Sequence, residues 1–181
     1  MSLSRRHLLG LAGLSAGALL FGTACGRPAS AQAAATPGRR FPYELSDAQW
    51  RQRLTPAQYA VLRGHATERA YSSPLDREHR SGTFTCAGCA QALFPSSSKF
   101  ESGTGWPSFW SALIGAVGEQ HDSSFGMRRV EVHCSRCGGH LGHLFNDGPR
   151  PTGLRYCING AALAFTPGQS PADDAGWRVR R

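Results

Sequence analysis

The chain has 181 residues, 40% of them hydrophobic and 18% charged, and a formal net charge of +8. That length and composition fit one folded domain. The positive charge is almost all arginine, Lys99 being the single lysine, and no basic run carries interleaved aromatics, which argues against nucleic-acid binding.

The first segment does not read as domain material. Arg5 and Arg6 precede an apolar run rich in Gly, Ala and Leu, and A-x-A options follow at 29–31 and 31–33. This is the layout of a bacterial twin-arginine export signal, so residues 1–33 are expected to be cleaved during export to the periplasm or another extracytoplasmic space. The glycines and the small residues after the run speak against a retained membrane anchor. Cys25 opens a second route, a lipid-anchored mature protein, but the "GTA" before it lacks the expected large aliphatic residue. Cleavage would lower the net charge by three, since Arg5, Arg6 and Arg27 leave with no acid.

Residues 34–42 read as a linker and 43–168 as the domain. Two short helices are expected, near 46–53 and 55–63. Ser46 with Gln49, and Thr55 with Gln58, form capping-box patterns; Pro56 suits a first helical position and Gly64 a stop. From residue 81 Gly and Ser rise, and β-branched and aromatic residues alternate with polar ones. "GTFTC", "MRRVEVHC" and "LRYCINGAALAF" read as strands. Residues 169–181 read as a flexible tail. The outcome is a small α+β or mainly antiparallel β domain.

Four cysteines come as CxxC pairs, Cys86 with Cys89 and Cys134 with Cys137, each at the end of an expected strand. A glycine in or after each pair (Gly88, Gly138) lets the backbone turn so that thiolates converge. Two such knuckles make a closed tetrahedral sulfur site suited to one structural zinc. With 44 residues between Cys89 and Cys134, the metal would pin distant strands together. Redox chemistry at one CxxC, or two disulfides, is the competing reading. His140 and His143 follow closely, yet four sulfurs already complete the tetrahedron, so the histidines are either spare for another task or plain surface or core histidines without one.

Cys157 belongs to no pair. On a strand, Arg155, Cys157 and Asn159 share one face while Tyr156 and Ile158 take the other. Arg155 favours the thiolate, lowering its pKa, and Asn159 can donate to an oxygen on whatever Cys157 attacks. The bland alternative is an inert, buried thiol. In "KFESGTGWPSFW", 99–110, glycines either side of Thr104 and Pro107 after Trp106 fix a loop presenting an indole, either as the wall of a small apolar pocket or as core packing.

"SGTGWPSFW", the two CxxC pairs, "HLGHLFNDGP" and "GLRYCINGAAL", in this order and spacing, resemble the methionine-R-sulfoxide reductases of B type in their zinc-containing form; "LRGHATERAY" (62–71) is similar to that family's N-terminal helix end. The resemblance covers about residues 43–166. It implies two antiparallel sheets with short helices packed outside. Cys157 matches the family's nucleophile, Trp106 the aromatic that receives the substrate's methyl group, and His140, His143 and Asn159 the polar residues around the sulfoxide oxygen. Arg155 matches the nucleophile's neighbour, and Cys86, Cys89, Cys134 and Cys137 match the zinc ligands.

The implied reaction restores methionine in oxidised proteins by thiolate attack on the sulfoxide sulfur. It leaves Cys157 as a sulfenic acid, which a thioredoxin-like protein or a small thiol reduces. A monomer is expected. Two departures from the family pattern stand out: Thr104 replaces a common resolving cysteine, and Gly160 stands where serine is common. Two rivals remain at this level, a zinc-stapled binding module with an inert Cys157, and a Cys-His hydrolase or acyl transferase.

Overall fold

The computed structural model describes residues 40–168, apart from 124, 125 and 127. The expected export signal, the linker up to residue 39 and the tail 169–181 lie outside the described residues.

Helices α1 (Asp47–Arg53) and α2 (Pro56–Leu62) open the domain. Both capping boxes form in full: the Ser46 and Thr55 hydroxyls accept from the Gln49 and Gln58 backbone amides, and each glutamine side chain accepts in return from the cap backbone. Seven residues are too few for a helix to persist alone. Their inner faces bury Trp50, Val61 and Leu62, and full burial of such side chains is worth about 1.5–3 kcal/mol each.

Nine strands follow among the described residues: β1 (Gly82–Cys86), β2 (Ala92–Pro95), β3 (Lys99–Phe100), β4 (Ser108–Phe109), β5 (Val117–Asp122), β6 (Arg129–Cys134), β7 (His140–Phe145), β8 (Arg155–Ile158) and β9 (Leu163–Pro167). They make two antiparallel sheets, one in the order β2-β1-β9 and one in the order β3-β4-β8-β7-β6-β5. The expected fold of two sheets with short outer helices is the one observed.

Aromatic rings join the sheets. Phe84 and Phe94 of the small sheet meet Phe109 of the large one, the Phe94 ring stacked on Phe109 at 4.4 Å and the Phe84 ring edge-on at 4.9 Å. Tyr156 on β8 also meets Phe94, at 5.7 Å. Tyr156 and Ile158 are therefore core residues, and the alternation of β8 sends Cys157 to the opposite face, as expected.

The stretch "LRYCINGAALAF" is not one strand. It breaks after Ile158 into a 3₁₀ turn, Gly160–Ala162, and resumes as β9 in the other sheet. The break is held from outside, because the Glu68 carboxylate accepts the amides of Gly160 and Ala161, so neither joins a ladder.

Candidate active site and metal centre

Strand register lays the site out as a row. Directly opposed residues run Gln120–Glu131–His143–Cys157–Ser108 across β5, β6, β7, β8 and β4. Opposed residues of antiparallel strands point to one face, so an acid, a histidine and a thiol stand side by side.

His140 joins them through an irregularity. In a regular strand, residues three apart face opposite ways. Between β6 and β7 the register shifts: Val132 pairs with Gly142 and His133 with His140, leaving Leu141 as an extra residue. Such a bulge changes the alternation, and the His140 and His143 rings stand 5.4 Å apart on the same side. Leu141 itself is fully buried in the core. Its carbonyl accepts both the backbone amide and the side-chain Nδ2 of Asn159, at 2.9 and 3.0 Å. Asn159 thus fixes the bulge that aims the histidines, and its Oδ1 accepts from the Glu68 amide.

Each histidine has a carboxylate. His140 Nδ1 donates to Glu131 Oε1 at 2.6 Å, and its buried Nε2 has no hydrogen-bond partner. Burial works to raise the Glu131 pKa, but hydrogen bonds from His140, His65 and Gln120 outweigh it and hold the carboxyl well below the usual range. His143 Nε2 donates to Asp122 Oδ2 at 2.9 Å, and Arg129 shares that oxygen at 2.7 Å. Burial pulls the His143 pKa down despite Asp122, which favours the neutral imidazole.

Cys157 is half-buried. Thr104 Oγ1 lies 4.0 Å from its sulfur, at the end of a chain of hydroxyls running through Ser102 to Ser108. Arg155 makes a two-pronged ion pair with Asp147, at 2.8 and 2.9 Å, and lies over the Phe145 ring. The expectation that Arg155 brings the thiol pKa down is corrected by this geometry. Burial pushes the Cys157 thiol up; Arg155 and Thr104 pull the other way and lose, with Arg155 already neutralised in part by Asp147.

Trp106 sits in the loop between β3 and β4. Gly103 (φ +74°) and Gly105 (φ +87°) take left-handed conformations there, and a side chain on Gly105 would run into Tyr71 at 2.8 Å. Tyr71 clamps this loop by its hydroxyl to the Gly103 carbonyl and its amide to the Gly105 carbonyl. The Trp106 indole N–H donates to the Glu68 carbonyl at 3.2 Å.

Glu68 is the residue that sequence reasoning missed. Its amide, carbonyl and carboxylate tie together Asn159, Trp106 and the 3₁₀ turn after Cys157. The only signal was its place inside the stretch 62–71, which carried a resemblance but no role. His65, Glu131, Asp122 and Asp147 were missed as well, each being a partner eight or more residues away along the chain.

The structure also gathers Cys86, Cys89, Cys134 and Cys137 into one buried group. None is in a disulfide; Cys86 Sγ lies 3.7 Å from Cys137 Sγ, and Cys89 Sγ 3.6 Å from Cys134 Sγ. Four sulfurs about 2.3 Å from a central zinc would stand about 3.8 Å apart, so the set fits such an ion. Both knuckles turn at the residue after the second cysteine, Ala90 (φ +60°) and Gly138 (φ +68°). The turning role expected of Gly88 therefore falls to Ala90. Gly88 lies beneath α1 and α2, where a Cβ would make ordinary contact with Trp50 at 3.4 Å and Leu62 at 3.5 Å.

Comparison with known proteins agrees with this layout. The SelR domain matches residues 54–167. A peptide methionine sulfoxide reductase MsrB of Leptospira interrogans is 56% identical over 126 residues, covering 68% of this chain and 96% of that protein. An MsrB of Bradyrhizobium diazoefficiens is 57% identical over 123 residues, 67% and 88% of the two chains. One of Methanosarcina mazei is 54% identical over 124 residues, 68% and 89%. The segment matched by the SelR domain contains the row through Cys157 and all four clustered cysteines, and the chain belongs to the SelR domain family, that of the MsrB peptide methionine sulfoxide reductases.

Proposed function

We propose that this protein reduces the R epimer of methionine sulfoxide in oxidised proteins, with Cys157 as nucleophile and an external thiol as reductant. The observation that carries the reading is the row across the large sheet that places Cys157 opposite His143, whose ring stands 5.4 Å from that of His140.

The steps follow from the groups present. The Cys157 thiolate attacks the sulfoxide sulfur, which carries partial positive charge. Because burial raises the thiol's pKa, the attacking thiolate forms as its proton moves toward the sulfoxide oxygen, with a histidine as relay. Glu131 holds the Nδ1–H of His140, leaving Nε2 as the atom that can carry this proton. The sulfur–oxygen bond breaks, oxygen passes to the cysteine sulfur, methionine leaves and Cys157 becomes a sulfenic acid. Two electrons move from Cys157 to the substrate sulfur. Trp106, its N–H held by Glu68, offers its ring to the substrate methyl group.

Recycling then needs two reducing equivalents from outside. Thr104 stands beside Cys157 where a resolving cysteine would be, and the other described cysteines form the cluster. Two external thiols return Cys157 to the thiol, forming a disulfide and water. Cys86, Cys89, Cys134 and Cys137 would hold one zinc; enclosed by four protein ligands, it supplies folding stability. The twin arginines support export of this activity from the cytoplasm, and Arg5→Lys with Arg6→Lys should strand the precursor inside.

The test is single turnover of each sulfoxide epimer without added thiol, followed by dimedone. One methionine per chain from the R epimer, with the adduct on Cys157, is expected. Preference for the S epimer, or an internal disulfide to Cys157, would overturn the scheme.

A further inference from the structure

We propose that His65, Glu131 and His140 form a metal site separate from the four-sulfur cluster, which takes a divalent first-row transition ion and stops turnover when filled.

The geometry carries the proposal. Glu131 Oε1 faces two imidazole nitrogens from different parts of the fold: Nδ1 of His140 at 2.6 Å, from β7, and Nδ1 of His65 at 3.1 Å, from the segment after α2. One ligand atom from each of the three residues lies within 4.8 Å of the others. Bonds of about 2.1 Å at right angles put neighbouring ligand atoms about 3.0 Å apart, close to the His65 separation and somewhat wider than that of His140. Two imidazoles and a carboxylate on one face of an octahedron make a recurrent donor set for such ions. The other Glu131 oxygen is held by Gln120, which fixes the carboxylate with Oε1 toward the histidines.

Two further features point the same way. His65 is a non-glycine residue at φ +55°, a conformation that costs energy. Yet its side chain is 59% exposed, so a hydrogen bond there offsets little of that cost. A bond to a metal would justify the placement far better. His140 is buried with its Nε2 unpartnered. Its ring is thus tethered by hydrogen bond at Nδ1 alone, the atom the ion would take. A cavity of about 450 Å³ opens beside the three residues, walled also by Asp122 and His143, with room for the waters that complete the shell.

An ion at Nδ1 takes the lone pair there, so the single proton of each neutral imidazole moves to Nε2. His140 Nε2 is then already protonated, cannot accept the Cys157 proton and cannot relay it to the sulfoxide oxygen. This inhibitory half rests on the role proposed above for His140; binding itself does not.

The test adds Co²⁺ to zinc-loaded protein and reads both spectrum and single turnover without added thiol. Weak visible bands from one equivalent of cobalt, no intense near-ultraviolet thiolate absorption, retained zinc, and turnover lost and restored by a chelator are expected. His65→Asn, which keeps a residue tolerant of the left-handed conformation, should weaken cobalt binding at least tenfold and raise the inhibitory concentration by the same factor. Equal affinity in His65→Asn, thiolate-type absorption, or no binding at millimolar cobalt would overturn the site. Cobalt bound through His65 with turnover undiminished would refute the inhibition and the role of His140 together.

Discussion

Cys86, Cys89, Cys134 and Cys137 lie in turns at strand ends, deeply buried, each with another sulfur as a near neighbour. Cys157 lies within a strand, half-buried, with a hydroxyl and an arginine near it and a histidine opposite. In the function proposed above, the same side chain serves as structural ligand in one place and reactive group in the other. The turn geometry sets the first role, because it points several sulfurs at one centre. The cross-strand row sets the second, because it keeps other sulfurs away and brings proton carriers near. Only in the second place does a sulfenic acid have a polar neighbour and no sulfur partner among the described residues.

The largest expected effect separates the two regions outright. Cys157→Ser should cut turnover on the order of 10³-fold or more while leaving metal content and melting temperature unchanged. Cys86→Ser should do the reverse in kind: metal is lost, stability falls by several kcal/mol, and activity falls only because the fold does. Elemental analysis and thermal melts check both. Folded, fully active protein without metal would break the division.

A smaller effect tests what surrounds Cys157. Because burial raises its pKa, the rate of its alkylation by iodoacetamide should rise with pH through a midpoint above the ordinary cysteine value. Arg155→Met removes the largest opposing influence and leaves Asp147 uncompensated, so the midpoint should move further up. Mass spectrometry on the Cys157 peptide follows it. An unchanged midpoint would mean that Arg155 only braces Asp147 and Phe145.

How much of this was legible in the sequence follows from the range of each interaction. The capping boxes of α1 and α2, the knuckles at the ends of β1 and β6, and the alternation of β8 depend on neighbours within a few residues, and all were readable. The bulge at Leu141 depends on which residues of β6 lie opposite, which no local pattern states. The break after Ile158 depends on Glu68, about ninety residues earlier. The sign of the Cys157 shift depends on burial against Arg155, and the sequence shows the arginine but not the burial.

Gly160 illustrates the same limit at intermediate cost. A side chain there would meet Ser73 Cβ at 2.3 Å and its Oγ at 2.0 Å. Gly160→Ser should therefore cost about 1–3 kcal/mol by overpacking. It should also raise KM, since displacing the turn disturbs Glu68 and through it Trp106. Adding Ser73→Gly should recover most of the loss. Two additive costs in a double-mutant cycle would show that the clash is not the cause.

The smallest effect lies within the four-cysteine cluster, where the two knuckles differ at the residue that turns them. The turning position is Gly138 in one and Ala90 in the other, both at φ near +60° to +70°. An alanine held there costs roughly 1–2 kcal/mol, whereas glycine takes the conformation freely and costs about 0.5–1 kcal/mol in added freedom of the unfolded chain. Ala90 is exposed, so its methyl group contributes little packing, and its amide bond to the Cys86 carbonyl at 2.8 Å is kept by glycine. Ala90→Gly should thus stabilise the domain by about 0.5–1 kcal/mol, a rise of roughly 2–4 °C in melting temperature. If the cluster acts only on folding, kcat/KM for the R epimer should stay within experimental error of the parent. A changed kcat/KM in a protein with full metal content would show that the knuckle reaches the chemistry at Cys157, and the two regions would no longer be separable.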